Sequence, residues 1–268
     1  MKYNTVLTIA GSDSGGGAGI QADIKAISAN GCFAMSAITA ITAQNTFTVT
    51  DIHPIPISTL IAQIDAVISD LGTDAVKIGM LHNSETIIAV AETLKKYDIK
   101  NIVLDPVMIS TSGKKLLEDD AINTLKEVLI PMAKIITPNI PETELLLDTS
   151  IKNQADLPAF AKELSQRFNN ISVLLKAGHM TEDELGDVFY NAEKDKIITL
   201  KSQRIYTKNT HGTGCTLSAA LASQLALGKE MNTAVIEAKK YINESIIAGK
   251  DYEIGKGNGP VKHFHKYW

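Results

Sequence analysis

TVLTIAGSDSGGGAGIQADIKAISANG, residues 5–31, decides the fold. Its opening run is apolar without alternation, as in a strand covered on both faces. Gly11, Gly15, Gly16, Gly17 and Gly19 interrupt that run and open a segment of helical spacing over 20–30. Gly31 stands just past it, where a left-handed helix cap belongs. Strand, glycine turn and helix make the first half of a βαβ unit, and the alternation continues down the chain. Strand-length runs lie within 32–43 and at 74–79, 101–105, 133–137 and 172–176. Helical segments fall at 59–70, with Ser58 as N-cap, and at 84–97, 118–130 and 153–169. Residues 44–56 read as irregular, since Pro54 and Pro56 disfavour a helix or a central strand, and they are a candidate flap. Segments 187–190 and 196–201 predict an antiparallel excursion at the sheet edge, and helices at 215–227 and 231–249 close the chain around Gly228. The fold class is α/β: three layers, αβα, with a mostly parallel sheet and helices on both faces. With no repeat, low-complexity tract or linker, residues 1–268 are expected to form a single domain.

Composition excludes several classes. The 268 residues carry 26 Lys+Arg against 30 Asp+Glu, a net charge of -4, which offers no basic face to nucleic acid. Cys32 and Cys215 lie far apart without a CxxC, so neither a disulfide framework nor a structural zinc site is supported. No stretch reaches the roughly 18 apolar residues of a membrane span. The start lacks the long apolar core of a signal peptide, so a cytoplasmic protein is expected.

The first glycine loop brings backbone amides close to a ligand, flanked by Asp13 and Asp23. Gly17 to Ala22 fits the relaxed dinucleotide pattern, but no acidic residue follows at the end of the second strand. A Walker A loop is excluded because Gly17 stands where its Lys must be. Asp23 could face a pocket or solvent. The second loop, NTHGTGCT (209–216), opens a strong Ala/Leu-rich helix. Gly212, Thr213, Gly214 and Cys215 therefore offer amides at a positive helix end, a ready anion cradle. The helix dipole is expected to lower the Cys215 thiol pKa. A phosphatase-type loop is excluded, because Leu221 replaces the needed Arg. A hydrolase nucleophile partnered by His211, a general base beside a bound phosphate, and a buried structural Cys all remain open. Asp105 and Glu142 follow neighbouring strands and could hold Mg²⁺ through waters; Lys176 ends another strand as a phosphate partner. The remaining histidines form no recognised metal spacing.

AGSDSGGGAGIQAD (10–23), Gln44-Asn45-Thr46, KIGML (77–81), LDPVM (104–108), TPNIPE (137–142), LLKAGH (174–179), NTHGTGCT (209–216) and GPVKHF (259–264) together resemble one family. It is the hydroxymethylpyrimidine/phosphomethylpyrimidine kinases of thiamine biosynthesis, within the ribokinase-like superfamily. The resemblance spans essentially the whole chain, and Cys215 stands where most ribokinase-like relatives have Asp. It implies ATP-dependent phosphorylation of a hydroxymethylpyrimidine and then of its monophosphate, with ATP and Mg²⁺ bound, in a homodimer. Cys215 would be the base and Gly212 to Cys215 the oxyanion cradle. Lys176, Asp105 and Glu142 would orient phosphates and metal, with Asn139 and Thr207 on the nucleotide side. Gln44 would read the ring, Gly11 and Asp23 its amino and hydroxymethyl groups, and Met80 and Val107 would pack on it. Pyridoxal, also a hydroxymethyl on a six-membered ring, is the alternative substrate.

Overall fold

A computed structural model describes residues 2–109, 113 and 115–268. Nine strands form one sheet: β1 (Thr5–Asp13), β2 (Phe33–Gln44), β3 (Val49–Pro54), β4 (Ala75–Ile78), β5 (Ile102–Leu104), β6 (Ile135–Ile136), β7 (Ser172–Leu175), β8 (Glu184–Asn191) and β9 (Lys196–Gln203). Their spatial order is β3-β2-β1-β4-β5-β6-β7-β8-β9. The run from β2 to β7 is parallel, β3 pairs antiparallel with β2, and β8 and β9 add an antiparallel hairpin at the far edge.

The non-alternating strands have a simple physical cause: alternate side chains enter two different cores. Val6, Ala75, Val103, Ile135 and Leu174 face one core, packed by α1 (Gly19–Ala29), α7 (Thr213–Ala226) and α8 (Met231–Gly249). Leu7, Val76, Leu104, Ile136 and Val173 face the other, packed by α2 (Ile57–Asp70), α3 (Ser84–Lys96), α4 (Asp119–Thr124) and α6 (Leu157–Arg167). Sequential parallel strands leave their carboxyl ends along one edge, the crevice where α/β sheets bind ligands. Among the described residues no helix is long and apolar enough to cross a membrane.

Two local expectations are corrected. Residues 49–54 are not irregular: β3 is an edge strand, and there Pro54 forfeits no interior ladder bond. Helix α2 starts at Ile57 after Pro56, whose fixed φ suits the entry, so Ser58 is not its cap. The chain after Thr137, which the sequence leaves unassigned, forms α5 (Ile140–Leu147), whose N-terminus is fixed by a capping box. Near its end the 118–130 helix widens into a π-turn over Leu125–Leu129, and Pro131 closes it in a single 3₁₀ turn.

Candidate active site

Helix α7 presents its N-terminus at the carboxyl edge of the sheet. Gly212 caps it with φ 75°, and a Cβ there would lie 1.8 Å from the Gly17 carbonyl oxygen, so the two glycine loops touch where only glycine fits. No side chain caps the helix, and among the described residues the amides of Gly214 and Cys215 have no backbone partner. Unpaired amides at the positive end of a buried helix are the donors an anion needs. A Cβ on Gly214 would fall 3.2 Å from Asp105 Oδ2 and 3.3 Å from Lys176 Nζ. Cradle, carboxylate and ammonium therefore share one small space.

The first glycine loop is occupied by the protein itself. Its amides at Gly15, Gly17 and Ala18 all donate to the Asp13 carboxylate, at 2.8, 3.0 and 2.8 Å. Burial alone would raise the Asp13 pKa. The bond from His211 and the loop amides outweigh it and hold the group below its ordinary value. Asp13 Oδ2 lies 2.8 Å from His211 Nε2, which clasps the first loop to the second. A Cβ on Gly17 would run into that imidazole.

Cys215 stands at the junction, half-buried. The expected lowering of its pKa is corrected. Burial pushes the thiol up to about 11, and Asp23 and Asp105 add to the push, while Lys77 and the Gly19 amide pull against it. At neutral pH the resting group is a thiol, because desolvation outweighs the helix end. The other cysteine, Cys32, is buried in the core with its sulfur 3.6 Å from the Ser223 carbonyl.

Lys176 donates to Asp105 Oδ1 at 2.9 Å, and Thr137 donates to the same oxygen. Asn139 and Glu142 form the α5 capping box: Asn139 Oδ1 accepts from the Glu142 amide and Glu142 Oε2 from the Asn139 amide. Burial pushes the Glu142 carboxyl up to about 7, with Lys176 opposing and Asp105 adding to the shift. Among the described residues no group of three or more metal-ligating side chains exists. Two carboxylates without a third fit Mg²⁺, which keeps waters and phosphate oxygens as its other ligands.

These groups line one cavity of about 520 Å³. Gly11, Gln44, Met80, Val107 and His211 wall it near the ends of β1, β2 and β4. Asp105, Asn139, Glu142, Lys176 and residues 212–215 form its middle. Ser202 to Ile205, Asn243 and Ile246 wall the end beside β9 and α8. Two expected site residues lie elsewhere. Asp23 is fully buried under the cavity and off its wall, its Oδ2 bound to Lys77 Nζ at 2.8 Å and Thr8 Oγ1 at 2.6 Å, while its Oδ1 has no partner among the described residues. Thr207 is off the wall, donating to the Lys250 carbonyl to tie its loop to the end of α8.

Sequence reasoning passed over three site residues. Lys77 is fully buried and reaches the cavity wall. Burial opposes its charge, but Asp23 outweighs burial and raises its pKa. A lone Lys inside AVKIG was a visible signal, because a charge in a buried strand must be paired. Asp187 and Lys239 form another largely buried pair at 2.7 Å on the wall, joining β8 to α8. Their pairing crosses elements far apart in sequence, so no local pattern announced it.

A family model described as phosphomethylpyrimidine kinase matches residues 13–262. The hydroxymethylpyrimidine/phosphomethylpyrimidine kinase of Rhizobium meliloti (strain 1021) is 48% identical over 262 residues, covering 98% of this chain and 97% of that protein. Among solved structures, the phosphomethylpyrimidine kinase of Clostridium difficile 630 is 45% identical with a TM-score of 0.78, covering 90% of this chain and 99% of that one. The pyridoxal kinase of Bacillus subtilis, solved as an ADP complex, is 35% identical with a TM-score of 0.89 over 98% of each chain. The three-layer arrangement is ribokinase-like.

Proposed function

The chain belongs to the phosphomethylpyrimidine kinase family, and we propose from that premise that it makes two ATP-dependent transfers. The first phosphorylates the hydroxymethyl group of 4-amino-5-hydroxymethyl-2-methylpyrimidine. The second phosphorylates the resulting monophosphate to the diphosphate, for thiamine biosynthesis. The observation that carries this reading is the shared space at Gly214, where two free amides, Lys176 and Asp105 converge beside the Cys215 thiol.

The pyrimidine lies between Met80 and Val107 with its polar edge toward Gln44 and the Gly11 backbone. ATP enters from the β9–α8 end, and its phosphates pass Asn139 and Lys176 to the cradle. Cys215 gives up its proton to solvent and, as thiolate, takes the hydroxyl proton. The alkoxide oxygen forms a bond to the γ-phosphorus as the bond to the ADP oxygen breaks. The amides of Gly214 and Cys215 hold the transferring oxygens in line, so catalysis is positioning and charge neutralisation. In the second transfer a phosphate oxygen of the monoester is the nucleophile, and the thiolate is not needed to ionise it. Asp105 and Glu142 would hold Mg²⁺, which when bound neutralises charge on the β- and γ-oxygens.

The same proposal covers residues 1–268 as one kinase domain acting in the cytoplasm as a homodimer. Exposed Phe33 and Ile41 on β2, with Tyr3 beside Phe33 at 5.9 Å, support a protein contact along β2. The competing substrate is pyridoxal, favoured by the higher TM-score to the pyridoxal kinase of Bacillus subtilis; sequence identity favours the pyrimidine kinases. One ADP-coupled assay compares kcat/KM for the two substrates, and product mass counts the phosphates. A value about tenfold higher for pyridoxal overturns the pyrimidine assignment.

A further inference from the structure

For the two transfers proposed above, on which this assignment rests, the acceptor must be held in two forms. One is a neutral alcohol, and the other is a phosphate monoester of charge about -1.5 to -2. The added phosphate hangs from the ring and must point along the path from the ring to the cradle. His211 stands on that path. Its Nε2 is 3.3 Å from Gln44 Nε2, at the ring end, and its chain neighbour is Gly212, at the cradle end.

Its hydrogen bonds fix how it can act. Asp13 Oδ2 at 2.8 Å accepts, so the proton sits on Nε2. This assignment also orients Gln44, whose Oε1 then faces His211 and whose Nε2 faces Thr42 Oγ1, already a donor to the Ser12 carbonyl. Nδ1 is left without a hydrogen-bond partner among the described residues, on a side chain that lines the cavity. Lys77 is committed to fully buried Asp23, and Lys176, paired with Asp105 at rest, serves the ATP phosphates in the proposed transfers. The charged group within bonding distance of the imidazole is Asp13, while the backbone N–H of His211 donates to the Gly259 carbonyl and a backbone bridge pairs His211 with Pro260.

The loop explains why Asp13 is there. Three amides of a glycine loop that could have cradled a phosphate are instead spent on one carboxylate, which holds one imidazole. We propose that His211, backed by Asp13, is the residue that binds the phosphate of the monophosphate acceptor and so sets selectivity for the second transfer. The imidazole takes a proton on Nδ1, from the monoester or from solvent, and donates it in a charge-assisted bond to a phosphate oxygen. Nε2–H stays on Asp13.

The test uses His211→Asn and His211→Gln, each checked for an unchanged Tm. First- and second-transfer kcat/KM are measured separately, with the pyrimidine alcohol and its monophosphate as substrates and product mass as the count. The ratio of second to first kcat/KM is expected to fall at least about tenfold, through KM more than kcat. Binding of the monophosphate without ATP, measured by calorimetry, is expected to weaken by about the same factor. Asp13→Asn, which keeps a hydrogen bond but loses the charge, is expected to lower the ratio in the same direction. A ratio unchanged within about threefold in a folded variant overturns the assignment, as does an equal loss in both transfers. A wild-type enzyme that phosphorylates neither pyrimidine defeats the reaction itself, and the assignment with it.

Discussion

The rate of the first transfer should depend on pH through the Cys215 thiol. Burial pushes this group up to about 11, against the pull of Lys77 and the Gly19 amide. At pH 8 the thiolate is then about one molecule in a thousand, and each pH unit raises that fraction about tenfold. With the alcohol as substrate, log kcat/KM should rise with a slope near one between pH 8 and 10, roughly a hundredfold in all. Few other groups in the site titrate in that window: Lys77 and Lys176 both have raised pKa values, held by Asp23 and by Asp105 with Glu142, and stay charged. The assay is initial-rate ADP production at saturating Mg²⁺. Cys215→Ala should lower kcat by about 10²–10⁴ and leave ATP binding little changed. Cys215→Asp replaces the thiol with a base already ionised, so its profile should flatten over the same range. A wild-type profile flat between pH 8 and 10, or near-normal turnover by Cys215→Ala, refutes the assignment of Cys215 as base.

Glu142, pushed up to about 7, is neutral below that pH and anionic above it, so the Mg²⁺ requirement should rise as pH falls from 8 to 6. Glu142→Gln should raise the Mg²⁺ requirement and erase its pH sensitivity, read by magnesium titration at fixed ATP. Lys77→Met should destabilise by about 3–5 kcal/mol by leaving Asp23 buried and unpaired; a Lys77→Met, Asp23→Leu double variant should recover most of that in urea melts. Gly214→Ala should fold with wild-type Tm yet lose at least about a hundredfold in kcat/KM, because its methyl fills the cradle. Gly212→Ala should lower both Tm and activity, since it strains φ and strikes the Gly17 carbonyl. Thr207→Val should leave the KM for ATP within about twofold, as its hydroxyl bonds the Lys250 carbonyl away from the cavity.

What could be read in the sequence was whatever a local pattern encodes. The strand runs told that both faces of the sheet are buried, and Val6 and Leu7 do enter opposite cores. The Gly-Thr-Gly-Cys helix start was visible because a cradle is a property of one segment. Asp105 and Lys176 were visible because each ends a strand. What the sequence could not reveal were balances set across the fold. The thiol pKa is one: the helix end favours the thiolate, but desolvation and two carboxylates, from α1 and from the residue after β5, decide the sign. The burial of Asp23 is another, since its partner Lys77 lies 54 residues away on β4. The Asp13–His211 clasp joins residues 198 apart, so each looked like an isolated polar residue.

The near-neutral charge of the chain follows from how those charges are arranged. A phosphate-binding enzyme with a net charge of -4 has no overall positive charge with which to gather ATP. Its cations are instead held in the site by carboxylates: Lys176 by Asp105, Lys77 by Asp23 and Lys239 by Asp187. Each pair keeps a buried positive charge from standing alone before substrate arrives. In the proposed reaction the pairs divide into two kinds. Asp105 can turn to a metal as Lys176 turns to a phosphate, so that pair exchanges partners when ATP binds. Asp23 is fully buried, and its Lys77 pair cannot exchange; it fixes a permanent positive charge beside the thiol. The distinction makes a sharp claim. Neutralising Asp105 should change substrate and metal affinity, whereas neutralising Asp23 should act on stability and on the ionisation of Cys215, leaving the KM for ATP nearly as it was.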